Sequence, residues 1–264
     1  MFNLTPPISS LISTLQLEPH PEGGYFKQWY SSSLSLSQDL DDRWERNSIR
    51  STSTAIWYVC PKGGKSSLHS IKSDELWFWH GGVPLMVVEL QSTSSTSTSV
   101  EPIVKQTLLG PLGLPGCQST HIVKGGTYFG AYCPTIAELL TYYEQYPSID
   151  KSIIDQLHPN INNNNTSTTT NTLTEKDIYA LVSCVVAPGK FFFRLIYKGI
   201  HVYICNTTVM LSSQIFNYTV YIFSTVLYIG FDYRDWEMKS SEELKVLYPG
   251  KEAEYIINKL AKDI

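Results

Sequence analysis

Between Thr52 and Tyr132 the chain is cut into short apolar runs, and turn-forming residues separate most of them. Thr52–Val59, Ser66–Ile71, Asp74–Trp79, Leu85–Leu90, Val104–Leu109, His121–Val123 and Thr127–Tyr132 read as strands, with Ala180–Val186 as a late one. The breaks are Cys60-Pro61-Lys62-Gly63-Gly64, Gly81-Gly82, Gly110-Pro111, Pro115-Gly116 and Gly125-Gly126. Many short strands with this punctuation imply an all-β sandwich or small barrel and argue against a parallel α/β sheet. Helices belong to the ends and to one connection. Ile8, Leu11, Ile12 and Leu15 have helical spacing after Thr5-Pro6, and Pro19-His20-Pro21 must end that helix. Thr135–Tyr146 reads as a helix, as does Ser241–Lys262 with a break at Pro249-Gly250.

With 42% hydrophobic and 17% charged residues, the chain has the apolar mass for a substantial core. A net charge of −4 argues against a nucleic-acid partner, which selects a basic face. The five cysteines are odd in number and form no C-x-x-C pair, so they read as reduced thiols of a cytoplasmic protein rather than a disulfide framework or thiolate zinc site. Met1–Ser13 lacks the basic and apolar regions of a secretory signal. Ser92–Ser99 is only Ser and Thr and Asn160–Asn171 is nearly all Asn and Thr, so 91–100 and 158–174 are expected to be low-complexity loops. Lys190–Ile229 stands apart, with ten aromatic residues and no Asp, Glu or Pro. Its most apolar part, Gln214–Ile229, is shorter than the ~20 residues of a spanning helix, so no membrane partner is expected.

Leu17-Glu18-Pro19-His20-Pro21-Glu22-Gly23-Gly24-Tyr25-Phe26 resembles the opening motif of the type-5 cupins, the DUF985 family. Ser51–Tyr58, Leu68–Gly82, Val123–Ala131, Ala180–Gly189 and Phe231–Glu237 are similar to further family motifs, in order. The resemblance implies a single cupin domain over 1–264: a jelly roll of the RmlC-like type, with short terminal helices, a small-molecule ligand in the barrel and a homodimer. It also implies that Ala187-Pro188-Gly189 should lead directly into Phe231-Asp232, whereas 41 residues, Lys190–Gly230, intervene. Residues 190–230 are therefore read as a non-native insertion, a retained intron. Gly189-Lys190 and Ile229-Gly230 can be encoded with splice signals, and joining them restores one glycine before Phe231.

In a metal-binding cupin a His-x-His pair, a following Glu and a third His converge, because residues two apart on a strand share a face. Here the pair is Ser67-Leu68-His69, Glu75 is present and Phe129 stands at the third position. That leaves His69, Glu75 and, as a helper, Gln118 for any divalent metal, fewer strong ligands than stable zinc or iron sites use. No cofactor is required by the sequence. The alternative chemistry is a proton-transfer dyad, in which Glu75 orients His69 and a tyrosine, Tyr128 or Tyr58, serves as acid. Gln118, Trp77, Trp79, Tyr58 and Arg50 are the candidate ligand-binding residues. Trp77 and Trp79 can stack on a sugar or planar ligand, and Arg50 can clamp an anion. His80 is expected on the opposite face from Glu75. His20 and Glu22 read as turn-stabilising groups, with a pocket rim or dimer contact as the other possibility. Asp232 and Glu237 are candidates for closing a hydrogen-bond network. The expected activity is that of an epimerase or isomerase on a sugar or nucleotide-sugar. A non-catalytic sensing cupin is the first alternative and a metal-dependent oxygenase the second.

Overall fold

The computed structural model describes residues 6–36, 50–91, 102–146, 178–189, 193–197, 200–204, 227–228 and 236–262. Asp232 and the two low-complexity runs, 92–99 and 160–171, lie outside them.

The expected strands are present with ends shifted by up to three residues. In chain order they are β1 (Glu18–Pro19), β2 (Tyr25–Ser31), β3 (Ser35–Leu36), β4 (Arg50–Ser51), β5 (Thr54–Pro61), β6 (Lys65–Ile71), β7 (Asp74–Gly82) and β8 (Leu85–Gln91). Then come β9 (Ile103–Leu109), β10 (Cys117–Gln118), β11 (Thr120–Val123), β12 (Tyr128–Tyr132) and β13 (Tyr179–Ala187). One six-stranded sheet runs β1-β2-β5-β13-β7-β11. The facing sheet runs β10-β9-β8-β12-β6 and ends on a late strand, Trp236–Glu237. All but one of the pairings within these sheets are antiparallel, so the fold is an all-β jelly roll.

Alternation along each strand sorts side chains into three layers. Phe26, Tyr58, Cys60, Trp77, Val87, Phe129, Val182 and Cys184 fill the space between the sheets. The helices are α1 (Ile8–Leu15), α2 (Ile136–Tyr143), α3 (Ser241–Leu247) and α4 (Lys251–Leu260). The outer face of the second sheet, with Leu68, Met86, Val88 and Leu90, is covered by Leu139 of α2, Leu244 of α3 and Ile256, Ile257 and Leu260 of α4. The outer face of the first sheet, with Val59 and Tyr179, is covered by Leu11 of α1. Thr135 and Ser240 begin α2 and α3 with capping boxes, each hydroxyl accepting from a glutamate N–H three residues on. No side chain caps α1; its first residue follows Pro7 rather than Thr5.

Within the stretch 190–230, Phe193–Tyr197 pairs with Ile200–Ile204 and Leu227–Tyr228 in a three-stranded sheet of its own. Among the described residues it shares no ladder with either six-stranded sheet. Before it, Gly189 donates its N–H to the Ser51 carbonyl; after it, Trp236 pairs with Ile71. The four described cysteines are free thiols. Among the described residues no helix is long and apolar enough to cross a membrane.

Candidate functional site

The Pro19–Gly24 turn sets the first polar group of the interior. Gly23 and Gly24 have φ of +109° and +71°, and a Cβ on Gly23 would lie 2.2 Å from the Lys65 carbonyl oxygen. Only glycine meets both demands. The turn closes as His20 N–H donates to Gly24 O and Gly23 N–H to His20 O, both at 3.0 Å. The Glu22 N–H donates to His20 Nδ1 at 3.2 Å, so that nitrogen carries the lone pair. The turn is thereby held against β6, whose Ser67 N–H donates to Glu22 O at 2.8 Å, and the Glu22 side chain is buried beneath it.

Glu22 meets three side chains from two distant parts of the chain, β6 and the late strand at Trp236. Trp236 Nε1 donates to Oε1 at 2.6 Å, Ser66 Oγ donates to Oε2 at 3.0 Å, and His69 Nε2 lies 3.3 Å from Oε1. His69 is 2% exposed, with Nδ1 2.6 Å from the Ser67 carbonyl oxygen and its ring 4.3 Å from that of Phe129. A carbonyl only accepts, so Nδ1 donates there. Nε2 then faces a carboxylate already held by two other donors, an arrangement that accommodates an imidazolium–carboxylate pair.

A bulge brings these groups together. Phe129 opposes His69 but Ala131 opposes Ser66, so β6 carries one residue more than β12 between the two pairings. Ser66 and His69 consequently reach the same carboxylate, while Leu68 turns outward to the helices. The hydroxyl that accompanies His69 is therefore Ser66, not the Ser67 that simple alternation selects.

Glu75 is buried two residues before Trp77 on β7, and the Cys184 thiol hydrogen-bonds to it; burial, then Glu75, pushes that thiol well up. Trp77 is 3% exposed, with its ring edge-on to Tyr58 and Phe129. Tyr58 donates its hydroxyl to Gly23 O at 3.0 Å, and burial holds the phenol protonated. His69, Glu75, Trp77 and Tyr58 therefore share the interior layer. A second carboxylate, Glu22, read from sequence as a turn group, stands 3.3 Å from His69 Nε2.

Other expected residues lie elsewhere. Tyr128 packs against Tyr248 on the helical side and donates its hydroxyl to Glu237 at 2.6 Å, which removes it as the acid partner of His69. Its neighbour Phe129 takes the inward position because alternate residues face opposite sides. Gln118 is exposed on the edge strand β10. Trp79 is half-buried and gives its N–H to Val83 O at 3.3 Å. Arg50 is buried in the two-stranded ladder opposite Leu36. His80 is on the outer face, 5.0 Å from the Trp57 ring and 2.7 Å from Ser183 Oγ. With Gln118 on the edge and Phe129 against His69, the donor set does not fit a metal centre. Among the described residues no three His, Cys, Asp or Glu side chains gather as one.

A second pair was not singled out from sequence. His121 on β11 donates from Nε2 to Glu89 Oε1 on β8 at 2.8 Å, and Lys105 Nζ donates to the same oxygen at 2.8 Å. Its signal was Glu89 itself, a lone charge within Leu85–Leu90, which must find a partner if that strand is buried.

Two facing antiparallel sheets wound as a jelly roll around a polar and aromatic interior define a cupin-type protein. The model of the Cupin superfamily (DUF985) family matches residues 9–144, and the chain belongs to that family. Among solved structures it is similar to a hypothetical protein from Leishmania major, at 22% identity and a TM-score of 0.56, covering 98% of this chain and 100% of that one. It is also similar to a Shewanella oneidensis protein, at 18% identity and a TM-score of 0.54, covering 98% and 99%. These likenesses show the fold. No curated protein matches.

Proposed function

We propose that this cupin binds a small polar molecule between its sheets and moves a proton next to a carbonyl group on it, as a sugar isomerase or epimerase does. The observation that carries this reading is the buried approach of His69 Nε2 to Glu22 Oε1, 3.3 Å apart, with the other ring nitrogen committed to a carbonyl. In this reading His69 gives its Nε2 proton to the carbonyl oxygen of the ligand. Glu75 takes a proton from the adjacent carbon, forming an enediol. Return of the two protons, with the carbon proton delivered to the other face or the neighbouring carbon, gives the epimer or isomer and restores both residues. Ser66 and Trp236 donate to Glu22 and hold its carboxylate beside the His69 ring.

The test is exchange. Candidate aldoses and ketoses, free and nucleotide-linked, are incubated with the protein in deuterium oxide and followed by proton NMR. Catalysed loss of a proton adjacent to the carbonyl, absent in His69→Asn with an unchanged melting temperature, is the expected result. Equal exchange by His69→Asn refutes the role of His69. Ligand stabilisation without exchange assigns the protein to the non-catalytic binding cupins.

A further inference from the structure

Three tryptophans near the site differ in what their indole N–H meets. Trp236 has the Glu22 carboxylate at 2.6 Å and Trp79 has the Val83 carbonyl at 3.3 Å. Trp77 Nε1 is fully buried, and no acceptor among the described residues reaches it. A buried donor without an acceptor is a cost that folded chains rarely carry, and at a binding site the missing acceptor is commonly supplied by the ligand.

The surroundings describe what such a ligand is. Trp77 is flanked in its sheet by Cys184 and His121, whose backbones pair with it. Glu75 lies two residues away on the same strand face. The rings of Tyr58 and Phe129 stand at 74° and 89° to the indole, offering apolar surfaces. Two buried carboxylates, Glu22 and Glu75, belong to this interior. Carboxylates accept from ligand hydroxyls and repel phosphates.

Taking the barrel interior as the ligand site, as the proposed function does, we infer that the Trp77 indole N–H seats an oxygen of the ligand and that the ligand is an uncharged polyhydroxy carbonyl compound, a free sugar rather than a phosphorylated or nucleotide-linked one. Hydroxyl groups donate to the carboxylates, the indole donates to a ring or carbonyl oxygen, and C–H faces lie against the aromatic rings.

The full-length protein carrying ¹⁵N-labelled indoles gives one N–H signal for each of its six tryptophans. The Trp77 signal is identified by its loss in Trp77→Phe, or, if that variant does not fold, as the one left after the other five are assigned by their own Phe variants. The probes are D-glucose, D-xylose and D-fructose, set against D-glucose 6-phosphate and UDP-glucose. The expected result is a downfield shift of the Trp77 indole proton on titration with at least one free sugar. Trp77→Phe then weakens that sugar at least tenfold, about 1.4 kcal/mol, with the sugar-free melting temperature unchanged or raised. A Trp77 signal that responds to none of the three sugars overturns the inference, as would be seen if a buried water holds the N–H. Tighter binding of glucose 6-phosphate or UDP-glucose than of any free sugar overturns the ligand class. Sugar binding lost in His69→Asn but undiminished in Trp77→Phe removes Trp77 while leaving the proposed function standing.

Discussion

The sandwich has two seams where its sheets meet, and each is spanned by a histidine and a glutamate. At one, Glu22 beside the β1–β2 edge meets His69 of the opposite sheet at 3.3 Å. At the other, His121 of the edge strand β11 meets Glu89 of the opposite sheet at 2.8 Å. The second pair is anchored by Lys105, which is 45% exposed, so its charge is balanced by a side chain in contact with water. The first gathers its donors from Ser66 and Trp236, both neutral, with the His69 ring beside the same carboxylate. Similar groups therefore sit in different surroundings. The second pair is a clasp with a lysine in it; no lysine or arginine is among the described donors to Glu22, and that is the setting in which the proposed proton transfer is placed.

The largest expected effect is at the first seam. Glu22→Gln leaves buried donors facing an amide, and we expect a loss of about 3–5 kcal/mol in chemical denaturation, together with loss of proton exchange. A change below about 1 kcal/mol would show that the carboxylate does not hold the seam. Glu89→Gln is expected to cost less, about 2 kcal/mol, because Lys105 can turn to solvent, and to leave exchange intact.

Acid sensitivity sharpens the contrast. Burial pushes the Glu89 carboxyl up, but hydrogen bonds from His121 and Lys105 outweigh it and hold the carboxyl below its ordinary 4.5. A depressed carboxyl contributes stability above that ordinary value and loses it as pH falls through the folded-state value. The wild-type stability curve should therefore fall more steeply below pH 4.5 than that of Glu89→Gln; parallel curves would show that the pair is not ionised.

Smaller effects come from groups outside the interior. Tyr128→Phe removes the hydrogen bond to Glu237 on the helical side and should cost about 1 kcal/mol without altering exchange. A loss of turnover there would return Tyr128 to the chemistry. Lys105→Met should cost under ~1 kcal/mol, as half-exposed ion pairs do.

Much of the architecture was legible because it depends on local rules. Alternation and Gly-Pro breaks located the long strands within three residues, and the tail divided at Pro249-Gly250 as expected. His69 and Glu75 were legible as interior residues for the same reason. The β6 bulge was not, because an extra residue leaves no mark in period-two alternation; it exchanged Ser67 for Ser66. Gln118 failed because its strand has two residues and lies at an edge. Tyr128 failed by one position, with Phe129 taking the inward face. Glu22 was read only in part: its local role in the turn is present as expected, while its long-range partners at 66, 69 and 236 follow from sheet closure rather than from any neighbouring residue.

Trp236 supplies the shortest hydrogen bond to Glu22, yet it is reached only after the separate small sheet formed within 190–230. A ribosome that stops within that stretch has already made nearly every strand of both sheets, but not the group that fastens the key carboxylate. Completion of the chain is thus a precondition for a fully held Glu22, and a transcript read that joins codon 189 to codon 231 would bring that fastening group into place about forty residues sooner.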